Sequence, residues 1–334
     1  MPCDWEVKKV TSEKVARVFV PTNIALVKYW GKRDTKLNLP THSSLSATLD
    51  KFGTYTTVEF LEDLIEDEFI LNGKYIESPK GEVVLEHLRS LAKSGLHARI
   101  QSQNNIPTGA GLASSASGLA ALTLAAARAL NLDLSKEKLS QISRLGSGSS
   151  CRSFWGGFVE WQAGVNPDGS DCRASQFVDE SHWKLKIFVL ILDETKKEIS
   201  STVGMERSRL TSPFFGEWIK KAQADCEHTK NIIEKRDFKL LAQIVESNCL
   251  FMHKTALSAQ PPVIYWNQKT LEVLDRVRDW QREGINVFFT IDAGANVILF
   301  AEPKDQENLK SRFSKIEPIS VLETEIGPGP FYLN

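Results

Sequence analysis

Three stretches of this chain bring chemically capable side chains together: a lone acid, a basic string and a loop rich in glycine and serine. In the loop, Pro107 to Gly118, Gly109 and Gly111 alternate with the small Ala110, Ala113 and Ser114, so main-chain N–H groups can close on an anion. An Ala- and Leu-rich segment follows, a strong helix former that aims its positive end at the same point. Such a cradle suits nucleotide phosphates. It is not a Walker A loop, because G-x-x-x-x-G-K-[ST] is absent, and the hydroxyl of Ser114 or Ser115 is the candidate Mg²⁺ ligand. Alone, a glycine-rich turn can equally serve to pack a helix on a sheet.

The basic string is PTNIALVKYWGKRD, Pro21 to Asp34, where Lys28, Tyr29, Lys32 and Arg33 cluster with aromatic bulk that would set cations on a shaped wall. A second polar run, Leu145 to Glu160, places Ser147, Ser149 and Arg152 among glycines. The acid is Asp292, in the Asp-Ala-Gly-Ala-Asn turn of INVFFTIDAGANVILFAE. An aspartate in such a turn commonly bonds amides two residues on, so its composition alone does not make it catalytic. Its company with a phosphate loop and a basic string argues for chemistry.

Elements must carry these groups to one place. Val15 to Val20 and Tyr55 to Phe60 are rich in β-branched and aromatic residues and are expected as strands, as are His97 to Gln103 and Phe158 to Gln162. Gly81 to Lys93 carries a helical apolar stripe, and Leu134 to Leu145 continues the helix pattern beyond the Ala-rich segment. Leu185 to Leu192 reads as a buried strand, followed by three helical stretches from Met205 to His253 and a fourth from Trp266 to Glu283. The segment around Asp292 reads as two strands flanking a tight turn. A chain of 334 residues exceeds one typical domain of about 100–150. The order of elements places a boundary near Glu180, giving lobes 1–180 and 181–334.

Charge and composition exclude several classes. The formal net charge is −1, so no general field attracts nucleic acid or anionic lipid, and any anion must be gripped locally. No stretch approaches the ~18–20 apolar residues of a membrane span, and the amino-terminal MPCDWEVKKV lacks the apolar run of a secretion signal, which makes the cytoplasm the expected address. The five cysteines are scattered with no C-x-x-C pair, which argues for reduced thiols and against a disulfide framework or zinc site. Cys151 is expected as a small filler.

PTNIALVKYWGKRD, IPTGAGLASSAS, RLGSGSSCRSFWGGFVEW and IDAGANV, in this order and at these separations, resemble the diphosphomevalonate decarboxylase branch of the GHMP kinase superfamily over essentially the whole chain. The resemblance implies an α/β (α+β) two-lobed GHMP kinase-like fold. Its N-terminal lobe would be ribosomal-S5-domain-2-like and its C-terminal lobe ferredoxin-like, with the active site between them. It implies ATP as co-substrate, Mg²⁺, a diphosphorylated substrate, (R)-5-diphosphomevalonate, and a homodimer without nucleic-acid or membrane partners. Asp292 matches the catalytic aspartate, Lys28 the lysine beside it and Arg152 the arginine facing the substrate carboxylate. Tyr29, Lys32, Ser147, Ser149 and Met205 match substrate-contact positions. The nucleotide would meet Pro107, Gly109, Ala110, Gly111, Leu112, Ala113, Ser114, Ser115 and Ser117, with Lys196 and Lys197 near its phosphates. Thr202 stands where some members carry arginine, and His42 where others carry asparagine. A kinase of mevalonate or a phosphomevalonate, a decarboxylase of a monophosphate, and a silent binding protein on the same fold are the competing readings.

Overall fold

The computed structural model describes residues 14–106, 114–195, 197–316 and 318–333. The first part of the chain forms β1 (Val15–Val27), β2 (Lys32–Asp34), β3 (Leu39–Pro40), β4 (Ser44–Leu61), β5 (Glu68–Leu71), β6 (Lys74–Tyr75), α1 (Pro79–Ala92), β7 (His97–Asn104), α2 (Ser114–Ala129) and α3 (Lys136–Gly146). A 3-10 turn, Gly148–Phe154, then leads into β8 (Phe158–Trp161) and β9 (Ala174–Val178). The second part forms β10 (Lys186–Ile191), α4 (Ser201–Thr211), α5 (Phe215–Lys235), α6 (Phe238–Leu257), α7 (Gln268–Arg282), β11 (Val287–Thr290), β12 (Val297–Ala301), α8 (Gln306–Phe313), β13 (Ser320–Glu325) and β14 (Phe331–Leu333).

The larger sheet runs β14-β1-β4-β7-β5-β6, with β8 on β4 and β9 on β8; every pairing but β5 with β7 is antiparallel. The smaller sheet, β11-β12-β10-β13, is antiparallel throughout. β1 runs seven residues past the strand expected from Val15 to Val20, because Pro21, which cannot donate to a ladder, sits at a register shift against β4. Opposite that kink is Gly53, whose hypothetical Cβ would lie 2.2 Å from the Val20 carbonyl oxygen, so only glycine lets the two bent strands meet.

The kink lets β1 and β4 serve two cores. Val18 and Val20 pack with Leu85, Leu88 and the Ala-rich face of α2 under α1–α3, whereas Ile24, Leu26 and Val27 pack with Ile187, Val189 and Phe288 of the smaller sheet. A further apolar layer puts Val273, Val277 and Trp280 of α7 on the sheet's other face. α3 begins at Ser135, whose hydroxyl accepts from Lys138 N (3.2 Å) as an N-cap. The polar run after it, which shows no periodicity in sequence, folds as the 3-10 turn that carries Arg152. β11 and β12 form the expected antiparallel pair, with Asp292 between them. The last strand, β14, returns to pair with β1 in the larger sheet.

Gly53→Ala is expected to lower the unfolding free energy by about 1–3 kcal/mol in urea melts, the range for forcing extra volume into a packed site. Gly95→Ala, where an added Cβ meets nothing within 4 Å, stays within about 0.5 kcal/mol of the parent.

Candidate active site

Lys28 is the first residue after β1, and its position is set from behind: its main-chain N–H donates to Asn248 Oδ1 (2.8 Å) on α6. Asn248 in turn donates to the buried Asp225 (2.8 Å), which Lys221 neutralises at 2.9 Å. The Lys28 ammonium then reaches Asp292 Oδ1 at 2.5 Å, with side-chain exposures of 2% and 22%. The Asp292 carboxylate is therefore spent on Lys28 rather than on amides of its own turn; the turn is closed by Gly294 N–H donating to the Asp292 carbonyl (2.8 Å).

Arg152 is 3% exposed, yet among the described residues it forms no ion pair. Its guanidinium donates to Asn23 Oδ1 (3.2 Å) and Ser44 Oγ (2.7 Å), and it lies 5.9 Å from the centre of the Trp161 ring. Burial lowers its pKa, which the neighbouring Asp292 carboxylate partly opposes. A guanidinium desolvated in this way gains most from a carboxylate or phosphate delivered to it. The turn can approach so closely because Gly148 has no side chain: a Cβ there would sit 2.6 Å from Trp161 and 2.9 Å from Tyr29. The Tyr29 hydroxyl is buried without a hydrogen-bond partner among the described residues, and burial raises its pKa.

These groups line one cleft of about 280 Å³. Lys28, Lys32, Lys80, Arg152 and Lys197 supply positive charge, against the single carboxylate of Asp292. Lys32 donates to Asn38 Oδ1 (2.6 Å) and has its pKa lowered, first by burial and then by Lys80. Lys197 donates to Ser201 Oγ (2.9 Å) and the Ala293 carbonyl (3.2 Å); burial lowers its pKa, Asp292 opposing and Lys80 adding to the shift. A cleft so charged, with its cations partly desolvated, is built for a polyanion.

Of the residues singled out in the sequence, Lys28, Tyr29, Lys32, Ser115, Ser147, Ser149, Arg152, Lys197, Thr202, Met205 and Asp292 all face this cleft. Ser147 and Ser149 bond one another through their hydroxyls (3.1 Å). Ser117 points elsewhere: its hydroxyl is paired with Thr54 Oγ1 (2.7 Å) inside the fold. Pro107 to Ala113 and Lys196 lie outside the described residues, and of Ser114 only its place at the start of α2 is described. His42 is also away from the cleft, buried, with Nδ1 donating to the Ser43 carbonyl (2.9 Å) and its ring edge-on to Trp218. Sequence reasoning missed Asn23, Lys80, Ser200, Ser201 and Met252. Asn23 stood in a quoted motif, where its bond to Arg152 could have been sought; Lys80 sits on α1 with no local motif to flag it.

Residues 20–174 match the family described as diphosphomevalonate decarboxylase-like N-terminal domain, and residues 187–329 the mevalonate 5-diphosphate decarboxylase C-terminal domain. The chain belongs to the diphosphomevalonate decarboxylase family. It is 35% identical to the diphosphomevalonate decarboxylase of Candida albicans over 94% of this chain and 97% of that one. With the human enzyme of the same name it shares 38% identity over 84% of this chain and 75% of that one. Among solved structures, the mevalonate diphosphate decarboxylase from Enterococcus faecalis superposes with a TM-score of 0.89 at 39% identity, covering 96% of this chain and 99% of that one. A complex of a protein labelled MDDEF with MVAPP, AMPPCP and magnesium superposes at 0.90, with 39% identity and the same coverage. The decarboxylase fold is thus the two-lobed GHMP type, with the larger sheet in one lobe and the four-stranded sheet in the other.

Burial pushes the His42 pKa down to about 4, below its ordinary value of 6.5. The unfolded chain therefore takes up a proton that the folded chain refuses between these values, so this histidine's contribution to stability is present above pH 6.5 and falls as the pH drops toward 4. Between pH 7 and pH 5, His42→Asn should lose about 2 kcal/mol less unfolding free energy than the parent, measured by urea titration at both pH values.

Proposed function

We propose that this chain decarboxylates (R)-5-diphosphomevalonate in an ATP-dependent reaction that yields isopentenyl diphosphate, ADP, phosphate and CO2. The observation that carries this reading is the Lys28–Asp292 pair, held at 2.5 Å in a cation-lined cleft opposite the buried, ion-pair-free Arg152. In this reading Asp292, Lys28 and Arg152 are catalytic. Tyr29, Lys32, Ser147, Ser149 and Met205 hold the substrate, and the 107–115 segment with Lys196 and Lys197 holds ATP, Ser117 being turned into the fold. The lobes are taken to divide near Glu180 into 1–180 and 181–334, with β14 crossing back to the sheet of the first. The enzyme is taken as a cytoplasmic homodimer that meets neither nucleic acid nor membrane, a reading supported by family likeness and balanced charge. Among the described residues no helix is long and apolar enough to cross a membrane.

Asp292 faces a difficult proton. A carboxylate is a far weaker base than the alkoxide of a tertiary hydroxyl, so complete deprotonation ahead of phosphoryl transfer is too costly to be the route. Asp292 therefore orients the substrate's tertiary hydroxyl and takes its proton as that oxygen bonds the γ-phosphorus of ATP and the bond to ADP breaks. Lys28, 2.5 Å from Asp292, holds that carboxylate in place and offsets charge on the transferred group. The bond from the tertiary carbon to the phosphorylated oxygen then breaks, phosphate leaves with its electrons, positive charge grows on that carbon, and the C–C bond to the carboxylate supplies the electrons of the new double bond as CO2 departs. Arg152 has the fork geometry to align that carboxylate; its contribution is alignment, since holding the carboxylate tightly in the ground state would oppose its loss.

The donor set also suits Mg²⁺. No group of three or more His, Cys, Asp or Glu converges among the described residues, and the cleft offers the hydroxyl of Ser115 on the nucleotide side. That matches an ion that prefers substrate phosphates, water and one or two protein oxygens, with Ser114 the other candidate. When bound, it supplies charge neutralisation at the phosphates.

The purified chain, given diphosphomevalonate and ATP, is expected to release CO2 and ADP in equal amounts, while mevalonate and phosphomevalonate give neither at a comparable rate; ADP without CO2 would indicate a kinase. Asp292→Ala should reduce turnover at least about 10³-fold while ATP affinity, read by calorimetry, changes only a few-fold. Arg152→Gln should lower CO2 release at least about 100-fold with nucleotide affinity retained, and equal losses in both would contradict its substrate role.

A further inference from the structure

One helix grips both members of the Lys28–Asp292 pair. On α6, Asn248 accepts the Lys28 main-chain N–H at 2.8 Å. The next residue, Cys249, holds the residue before Asp292 from two sides: its sulfur accepts from Ile291 N–H (3.2 Å) and its thiol donates to the Ile291 carbonyl (3.5 Å). One turn on, His253 Nε2 donates to the same carbonyl (3.4 Å). Positions 248 and 249 with 252 and 253 form one patch of helix surface, and the fourth of them, Met252, lines the cleft. All four are buried.

The partners come from different sheets. Lys28 follows β1 of the larger sheet, and Asp292 follows β11 of the smaller one. Among the described residues the strands themselves are joined by a long side-chain bond, Thr290 Oγ1 to the Ala25 carbonyl at 3.5 Å. Helix α6 is thus the shared gauge against which both strand ends are set. A buried cysteine used as both donor and acceptor is an unusual choice for an apolar position, and its thiol pKa is pushed up to about 11 by burial, so it remains a neutral S–H.

We propose that Asn248 and Cys249 are positioning residues of the decarboxylation. They touch neither substrate nor nucleotide; they hold the Lys28 ammonium and the Asp292 carboxylate at the separation that the phosphoryl step uses. This rests on the reading of Asp292 and Lys28 as the working pair. An error of about 1 Å in such a pair costs on the order of 100-fold in rate, without altering grip on substrates bound elsewhere in the cleft.

The test compares kcat and both KM values of the full chain with ATP and diphosphomevalonate, scored as CO2. Cys249→Ala and Asn248→Ala are each expected to lower kcat about tenfold or more while both KM values stay within about twofold. Cys249→Ser, which restores a donor and an acceptor, should return kcat to within about threefold of the parent. Leu241→Ala, on the same helix but in the core beneath the smaller sheet, serves as the control for plain destabilisation; at an equal loss of Tm it should keep the parental kcat. Should Asn248→Ala not fold, the Cys249 pair decides. Parental kcat in Cys249→Ala, no recovery in Cys249→Ser, or an equal kcat loss in Leu241→Ala would overturn the proposal. Absence of CO2 from the parent itself would instead overturn the decarboxylase reading, and this inference with it.

Discussion

The Lys28–Asp292 ion pair is the constraint around which the molecule is arranged. A buried pair of this kind contributes little net stability, because desolvation of both ions offsets their attraction. Removing Asp292 would leave the Lys28 ammonium among other cations, with no carboxylate to compensate it among the described residues that line the cleft. Its position at the junction of two sheets explains why β1 and β4 are long and bent: each must pack in the core under α1–α3 and then continue into the core of the smaller sheet. Without the kink at Pro21 and Gly53, the end of β1 would not arrive beside the β11–β12 turn.

The remaining charges of the cleft follow a different logic. Lys32, Lys197 and Arg152 are each desolvated enough to have a lowered pKa, and their polar partners are amides, hydroxyls and carbonyls rather than carboxylates. Positive charges kept close together in low dielectric oppose folding of the free protein. An anion that binds only the folded form relieves this and raises apparent stability by mass action. Part of the free energy with which the cleft grips a polyanion thus comes from relief of this repulsion.

Much of this arrangement was legible in the chain itself. Two β-forming runs on either side of a tight turn marked the hairpin around Asp292, and Ala and Leu marked α2, because both signals are local. Lys28 and Arg152 stood out because polar groups in otherwise apolar or small-residue runs need a reason. What could not be read was nonlocal. Lys80 joins the cleft only because α1 packs beside α3, and the Asn248–Lys28 bond spans 220 positions. The 3-10 turn of Gly148–Phe154 lacks a period that any window could detect, and Ser117, alike in type to Ser115, turns inward because two residues on a helix lie on opposite sides.

The return of β14 to β1 has a mechanical result. The smaller sheet and its helices are joined to the larger sheet twice, once after β9 and again where the backbone from Ile326 to Gly329 is laced against Thr48, Leu49 and Gly157 before β14 begins. A body suspended from a single thread can swivel in any direction, whereas one fastened at two separated points keeps only the rocking motion about the line between them. The double attachment therefore restricts how one sheet can turn against the other, and so keeps Asp292 facing Lys28.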